Sequence, residues 1–442
     1  MSRIHTIIKG TAILTFTGLV TRLMGFFYRI FLSRTLGETG VGIYQLIFPV
    51  YALGFSLTSA GIEISLSRIV AKHNATGNKK RVKEIFYSGT LFTLFLSVLF
   101  TLLLQKHAGY IASSYLHNEE TRELLMILSY VFPLAALHSC IVGYYLGLKQ
   151  TKVPSVSQFV EQSFRILSVV LFYKLSIRYS FDFKISFAVL GIIIGELASG
   201  LFCFRMITKN TRTYKLNDYI PVNIIYNLKE LLPLSLPITA TRVMLNLLQS
   251  IEAVSIPLSL EKYGINNSEA LSIYGVLTGM ALPCILFPSA ITNALSTMLL
   301  PTISEIQTMN DKRLIIQIVK KSILSCTFLG SLCCIAFLSF GNIAGKLIFK
   351  SSLAGDFIIT LAWICPFLYT NNTLLSIING IGKTGITFII NSISLGLRIA
   401  SVFLLIPVYG IYGYLCGLLL SQTISFSLCI IFLFKNFKAE VN

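Results

Sequence analysis

Charge is scarce in this chain, and acid is scarcer than base. Of 442 residues only 12% are Asp, Glu, Lys or Arg, with 18 acidic residues against 36 basic ones. No Walker A, HExxH or GxSxG pattern occurs, which excludes the nucleotide, zinc-protease and serine-hydrolase chemistries those motifs carry. The nine cysteines form no CxxC and no Cys/His ligand spacing. All fall in apolar segments, where they read as small packing residues. GIGKTG at 380–385 lacks the P-loop spacing and reads as a turn. The N-terminus, MSRIHTIIKG, shows no small-residue cleavage site after a short apolar core, so the first hydrophobic run reads as a retained helix.

What fills the chain is apolar. Hydrophobic residues make up 54% and the mean hydropathy is +0.76. A soluble fold of this length could not hide so much apolar surface, so the bilayer is its main solvent. The net charge of +18 raises nucleic acid as a partner. The basic residues, however, sit mostly in short loops between apolar runs, the pattern of membrane topology, and no nucleic-acid partner is expected.

A spanning helix needs about 20 mostly apolar residues. That rule places helices near 8–33, 41–70, 85–105, 123–148, 156–178 and 187–207, then near 231–257, 271–299, 315–340, 357–380, 386–407 and 410–434. The excess of Lys and Arg in alternate loops puts both termini in the cytoplasm of a multi-pass protein of the cell membrane. The chain also repeats itself. GLKQTKVPSVSQFVEQSFR at 147–165 aligns with GIGKTGITFIINSISLGLR at 380–398, and TRLM at 21–24 returns as TRVM at 241–244. The expected fold is therefore an all-α polytopic membrane protein of about twelve transmembrane helices in two parallel six-helix repeats. The N-lobe would cover residues 1–215 and the C-lobe 216–442, with the basic stretch 208–229 as linker.

Five arginines stand inside the apolar segments: Arg22, Arg29, Arg165, Arg242 and Arg398. Arg22 and Arg29 are two helical turns apart and project from nearly one face. Arg242, Asn246 and Gln249 make a second polar stripe. Arginines at one depth on four helices suggest a central cationic cavity that holds a substrate. The alternative is that each pairs with a carboxylate and serves packing, which Glu161, one turn from Arg165, makes strong for that residue. The intramembrane acids Glu63, Glu161, Glu196 and Glu252 read either as ion-coupling sites or as partners of the arginines. His138 reads as a satisfied polar contact and not a proton relay. Pro283 and Pro288 are placed either to break the eighth helix or to kink it for packing. The charged loop AKHNATGNKKRVKE (71–84) reads as a solvated cytoplasmic turn.

TRLMGFFYR, SQFVEQSFRI (157–166), PITATRVMLNLLQSIEAVSIP (237–257) and YGVLTGMALPCILFPSAITNALSTMLLP (274–301) resemble the stage V sporulation protein B group. That group lies in the multidrug/oligosaccharidyl-lipid/polysaccharide flippase superfamily, and the resemblance covers nearly the whole chain. It implies a V-shaped, two-lobed bundle that moves an undecaprenyl-pyrophosphate-linked glycan, such as a peptidoglycan precursor, in spore cortex or cell-wall synthesis. The R..GF.R pattern of the lipid II flippases within that superfamily carries over onto Arg22, Gly25, Phe26 and Arg29; Arg242 follows from the internal repeat. Glu63 departs from the group, which more usually has an apolar residue or proline there. The chain also reads as twelve helices where many relatives add two. The resemblance implies no enzyme, cofactor or metal. Its partners would be the lipid-linked glycan, membrane lipids and cell-wall synthesis enzymes. Two rivals stand beside it: a multidrug or organic-cation exporter of the same superfamily, for which acids should dominate the cavity, and a non-transporting membrane scaffold for a cell-wall synthase, whose arginines should all be paired.

Overall fold

Apolar chain can cross a bilayer only if its backbone polar groups are satisfied internally, which leaves helices or closed barrels. Here every element is a helix. The computed structural model describes residues 3–213, 223–308 and 312–438, and no strand occurs among them. The first half runs α1 (Arg3–Leu46), α2 (Phe48–Phe55), α3 (Gly61–Ala75), α4 (Lys79–Tyr110), α5 (Thr121–Ser129), α6 (Val131–Gly147), α7 (Lys152–Tyr179) and α8 (Ile185–Thr213). The second runs α9 (Ile224–Lys262), α10 (Asn267–Gly275), α11 (Leu282–Leu286), α12 (Ser289–Thr308), α13 (Lys312–Ala344), α14 (Ser352–Ala362), α15 (Cys365–Gly380), α16 (Thr384–Leu404), α17 (Ile406–Tyr409) and α18 (Ile411–Lys438).

Eight helical stretches are long and apolar enough to span a bilayer, or ten counting two bent pairs, α5–α6 at 41° and α14–α15 at 60°. The stretch Ile13–Ala75 holds both of the first two predicted helices. The predicted fifth helix is α7, which carries Glu161, Arg165 and Lys174 and is not among the ten. Splitting the first stretch and admitting α7 returns the twelve read from the sequence. The predicted eighth helix is broken at Phe287 and Pro288, between α11 and α12. Residues 214–222 of the expected linker and the two chain ends lie outside the described residues.

The duplication is written into the irregular turns. A π-helical turn, Ser56–Ala60, joins α2 to α3, and another, Val276–Ala281, joins α10 to α11. Thr58 Oγ1 donates to the Gly54 carbonyl at 2.8 Å, and Thr278 Oγ1 donates to the Tyr274 carbonyl at 2.6 Å. These pairs keep the residue offset that separates TRLM from TRVM. π-Helical turns also end the third spanning helix of each half, at Ile111–Tyr115 and Gly345–Phe349. The hairpin before α7 closes with Leu148 N–H to Tyr144, Lys149 to Leu146 and Gln150 to Tyr145. The hairpin before α16 closes with Ile381 to Ile377, Gly382 to Asn379 and Lys383 to Ile378, bond for bond at the offset that carries Arg165 to Arg398. The tip of each turn has positive φ, Lys149 at 61° and Gly382 at 82°.

By Cα proximity the chain divides into two units: Met1–Gly25 with Leu46–Ser250, and Phe26–Gln45 with Ile251–Asn442. This division exchanges residues 26–45 and 224–250 relative to the two halves of the sequence. Both exchanged segments belong to the two longest helices, α1 with 44 residues and α9 with 39, each longer than one span needs. α1 bends at Gly37, whose φ of 71° and ψ of −178° suit glycine alone. In the first unit Ile62, Leu66, Ile85, Tyr145 and Leu231 form a core from α3, α4, α6 and α9. In the second, Ile303, Leu374, Ile377 and Cys429 do so from α12, α15 and α18.

Lipid offers little hydrophobic drive between helices, so close packing through small residues sets their approach. A Cβ on Gly143 of α6 would stand 2.6 Å from the Glu63 carbonyl oxygen of α3, and one on Gly195 of α8 would stand 2.7 Å from that of Glu161. A Cβ on Gly200 or Gly396 meets nothing within 4 Å. Gly143→Ala is therefore expected to cost about 1–3 kcal/mol and to lower the thermal midpoint of the detergent-solubilised protein. Gly200→Ala and Gly396→Ala should leave that midpoint unchanged or raise it.

Candidate functional site

The five membrane arginines fall into two groups. Arg165 is held on its own helix by Glu161, the i, i+4 pair the sequence suggests. This pair stands in a larger buried cluster of the first unit. His138 of α6 lies 3.0 Å through Nδ1 from Glu196 of α8 and 3.1 Å through Nε2 from Ser157 of α7. His138, Glu161 and Glu196 bring ring nitrogen and carboxylate oxygens within 4.8 Å of one another. Both nitrogens of His138 are engaged by protein groups, and Arg165 faces Glu161.

Arg398 of α16 is neutralised in the second unit. Its Nε and Nη2 fork onto Glu252 at 2.7 Å each, and Tyr414 of α18 donates to the same carboxylate at 2.7 Å. Glu252 is 5% exposed and Arg398 26%. The sequence offered Arg398 as substrate-binding and Glu252 as an ion site or an arginine's partner; the geometry gives Glu252 the partner's role. Arg398 would have to release that carboxylate to hold an anion.

Arg22, Arg29 and Arg242 differ. All three are exposed, and none has a hydrogen bond or a carboxylate within salt-bridge distance among the described residues. Arg22 and Arg242 belong to the first unit, and Arg29, two turns along α1 from Arg22, to the second. Glu63 is the acid whose field Arg242 feels, without a direct pair. The approach of α9 to α3 is tight: a Cβ on Gly61 would stand 2.0 Å from Thr239 Oγ1. One turn beyond Arg242, Asn246 Nδ2 donates to Ser56 Oγ at 2.6 Å and to the Ala52 carbonyl at 3.3 Å. It thereby fastens α9 to the π-helical turn instead of standing free as a ligand group. Gln249 is exposed.

The charged stretch 71–84, which forms the end of α3 and the start of α4 with a short turn between, does more than the sequence suggested. Lys72 and His73 reach Glu230 of α9 at 3.3 and 3.0 Å, and Arg81 reaches it at 3.2 Å. Arg81 also contacts Asn227 and Glu84 and lies over the Tyr226 ring, 4.6 Å from its centroid. The start of α9 is thus clasped to the α3–α4 hairpin. The partners are more than 140 residues apart in the chain, and no local spacing signals them.

Because Glu252 is buried, Arg398→Ala leaves an unpaired carboxylate among packed helices, at a cost of about 3–5 kcal/mol. The expected result is a large loss of folded protein on size exclusion in detergent. The double change Glu252→Gln with Arg398→Gln should be milder than Arg398→Ala alone, because no lone charge remains.

Comparison with known proteins agrees with this architecture. Stage V sporulation protein B of Bacillus subtilis (strain 168) is 30% identical over 415 residues, covering 92% of this chain and 80% of that protein. Lipid II flippase MurJ of the same organism is 21% identical over 341 residues, covering 73% of this chain and 62% of that protein. An inward-facing multidrug resistance MATE family transporter of the MOP superfamily superposes with a TM-score of 0.75 at 14% identity, covering 95% of each chain, which shows a shared fold. The family described as polysaccharide biosynthesis protein matches residues 7–307, and this multi-pass, all-helical membrane chain belongs to it.

Proposed function

We propose that this protein is a flippase that carries an undecaprenyl-pyrophosphate-linked glycan, of the peptidoglycan-precursor class, across the cytoplasmic membrane with both its termini inside. The observation that carries this reading is the division of the arginines. Two are neutralised by carboxylates, whereas Arg22, Arg29 and Arg242 keep their charge inside apolar helices. An arginine in that position costs roughly 3 kcal/mol on insertion scales, so it persists where water or an anion meets it. Guanidinium forks onto phosphate oxygens in two-point contacts, and several can share a multivalent anion. A pyrophosphate flanked by a sugar and a prenyl chain supplies that anion and leaves its tail in lipid. Membership of a polysaccharide biosynthesis family and the similarity to a protein named as a lipid II flippase support the same substrate class.

Export of organic cations, the rival suggested by the MATE-like fold, would draw on free carboxylates. Glu161, Glu196 and Glu252 are each engaged by a basic side chain, which weighs against it and leaves Glu63, within the field of Arg242, as the acid such a reading could draw on. A scaffold without transport would have no reason to leave three arginines without a direct carboxylate pair. On the transport reading no bond is made or broken, so the protein would act as a carrier and not an enzyme.

In proteoliposomes loaded with a fluorescent lipid-linked precursor, Arg22→Ala and Arg242→Ala are each expected to reduce crossing at least tenfold with normal insertion and thermal stability. Lysine at either position should restore little, since an ammonium lacks the fork. Full activity of the lysine variants, or loss of folded protein in both alanine variants, would contradict the assignment.

A further inference from the structure

The cluster built by α6, α7 and α8 contains two carboxylates, one permanent cation and one side chain whose charge can change. Nδ1 of His138 faces Glu196 at 3.0 Å and Ser199 Oγ at 3.3 Å. The Ser199 hydroxyl donates to the Glu196 carbonyl at 3.0 Å, so it presents a lone pair to the ring. An ionised Glu196 can only accept, so beside it Nδ1 carries a proton. Nε2 faces Ser157 Oγ at 3.1 Å, and that hydroxyl also reaches the Pro154 carbonyl at 2.9 Å. A hydroxyl has one proton and two lone pairs. With the proton on the Pro154 carbonyl, Ser157 accepts from Nε2–H and His138 is an imidazolium. With the hydroxyl turned, Ser157 donates to Nε2 and His138 is neutral.

Both states of the ring are therefore hydrogen-bonded at both nitrogens, and they differ by the Nε2 proton together with rotation of one hydroxyl. The net charge of the cluster is zero when His138 is an imidazolium beside Glu161, Arg165 and Glu196, and minus one when it is not. Glu63 on α3 and Cys203 on α8 complete the titratable groups that act on the ring, and Arg242 of α9 acts on Glu63. Gly143 on α6 seats against the Glu63 backbone and Gly195 on α8 against that of Glu161, so a charge change in the cluster is felt by four packed helices.

We propose that His138, with Ser157 as a two-way hydrogen-bond partner and Glu196 as counter-charge, is a reversible proton-binding site through which this chain couples a proton to transport. The coupling, though not the proton site, rests on the transporter reading above. Releasing the proton leaves an uncompensated negative charge among buried helices, a change able to bias a two-state packing of α6, α7 and α8.

The test uses the full chain in lipid nanodiscs with ¹⁵N-labelled histidine, taking the imidazole signals absent from His138→Gln as those of His138. Between pH 6 and 11 these signals should pass from the imidazolium to the neutral tautomer protonated at Nδ1. Glu196→Gln should lower the midpoint by about one pH unit or more; this variant also identifies the signal if His138→Gln does not fold. A ring that stays in one state over this range, or a neutral form protonated at Nε2, overturns the site. In proteoliposomes the crossing rate of a lipid-linked pyrophosphate should follow the same midpoint, and His138→Gln should flatten the profile. An unchanged profile in His138→Gln overturns the coupling. If the titration appears as described while the wild-type protein moves no such lipid, the proton site stands and the transport reading fails.

Discussion

The arrangement of this protein turns on the cost of keeping an ionised side chain inside apolar helices. Each charge there needs an opposite charge, hydrogen bonds or water. Glu252 meets that demand with the fork of Arg398 and the hydroxyl of Tyr414. Glu196 meets it with His138, and Glu161 with Arg165. The first ties α9 to α16 and α18 in one unit and the second ties α6 to α8 in the other, while Glu161 and Arg165 pair within α7. Arg22, Arg29 and Arg242 have no carboxylate within salt-bridge distance among the described residues, although Glu63 lies in the field of Arg242; on the proposed reading the substrate meets their demand.

Duplication explains where the pairs fall and where they do not. Arg165 and Arg398 occupy matching places after matching hairpins, and Ser168 and Ser401 donate to their respective carbonyls at 3.0 and 2.7 Å. Their counter-ions nevertheless differ: one comes from the same helix, the other from α9. The two halves thus share a backbone plan and have separate electrostatics. The first half accumulates a titratable cluster with a histidine, the second a permanently neutral pair. An asymmetry of this kind lets two similar scaffolds respond differently to one stimulus.

Much of the fold was legible because it rests on local signals. The apolar run lengths gave the spans, and the hairpin motifs at 147–165 and 380–398 marked the repeat that the turns bear out. The i, i+4 spacing of Glu161 and Arg165 foretold their pair. Glu252 with Arg398, 146 residues apart, had no such signature, since which faces of α9 and α16 meet is decided by packing. His138 read as a satisfied polar contact, and its bonds to Glu196 and Ser157 agree with that, but Glu196 lies 58 residues further on and had no local signature. Glu230, which gathers Lys72, His73 and Arg81, was hidden because a charged loop next to a membrane helix looks the same whether solvated or clasped.

The central claim is that the arginines without counter-ions recognise a pyrophosphate. Its most direct test is the affinity of the purified protein for two lipids with the same prenyl chain and sugar, one joined through pyrophosphate and one through a single phosphate. The account predicts at least tenfold tighter binding of the pyrophosphate form, with that preference lost when Arg22 and Arg242 are both replaced by Gln. Equal affinity for the two lipids, or a preference that survives the double replacement, would contradict it.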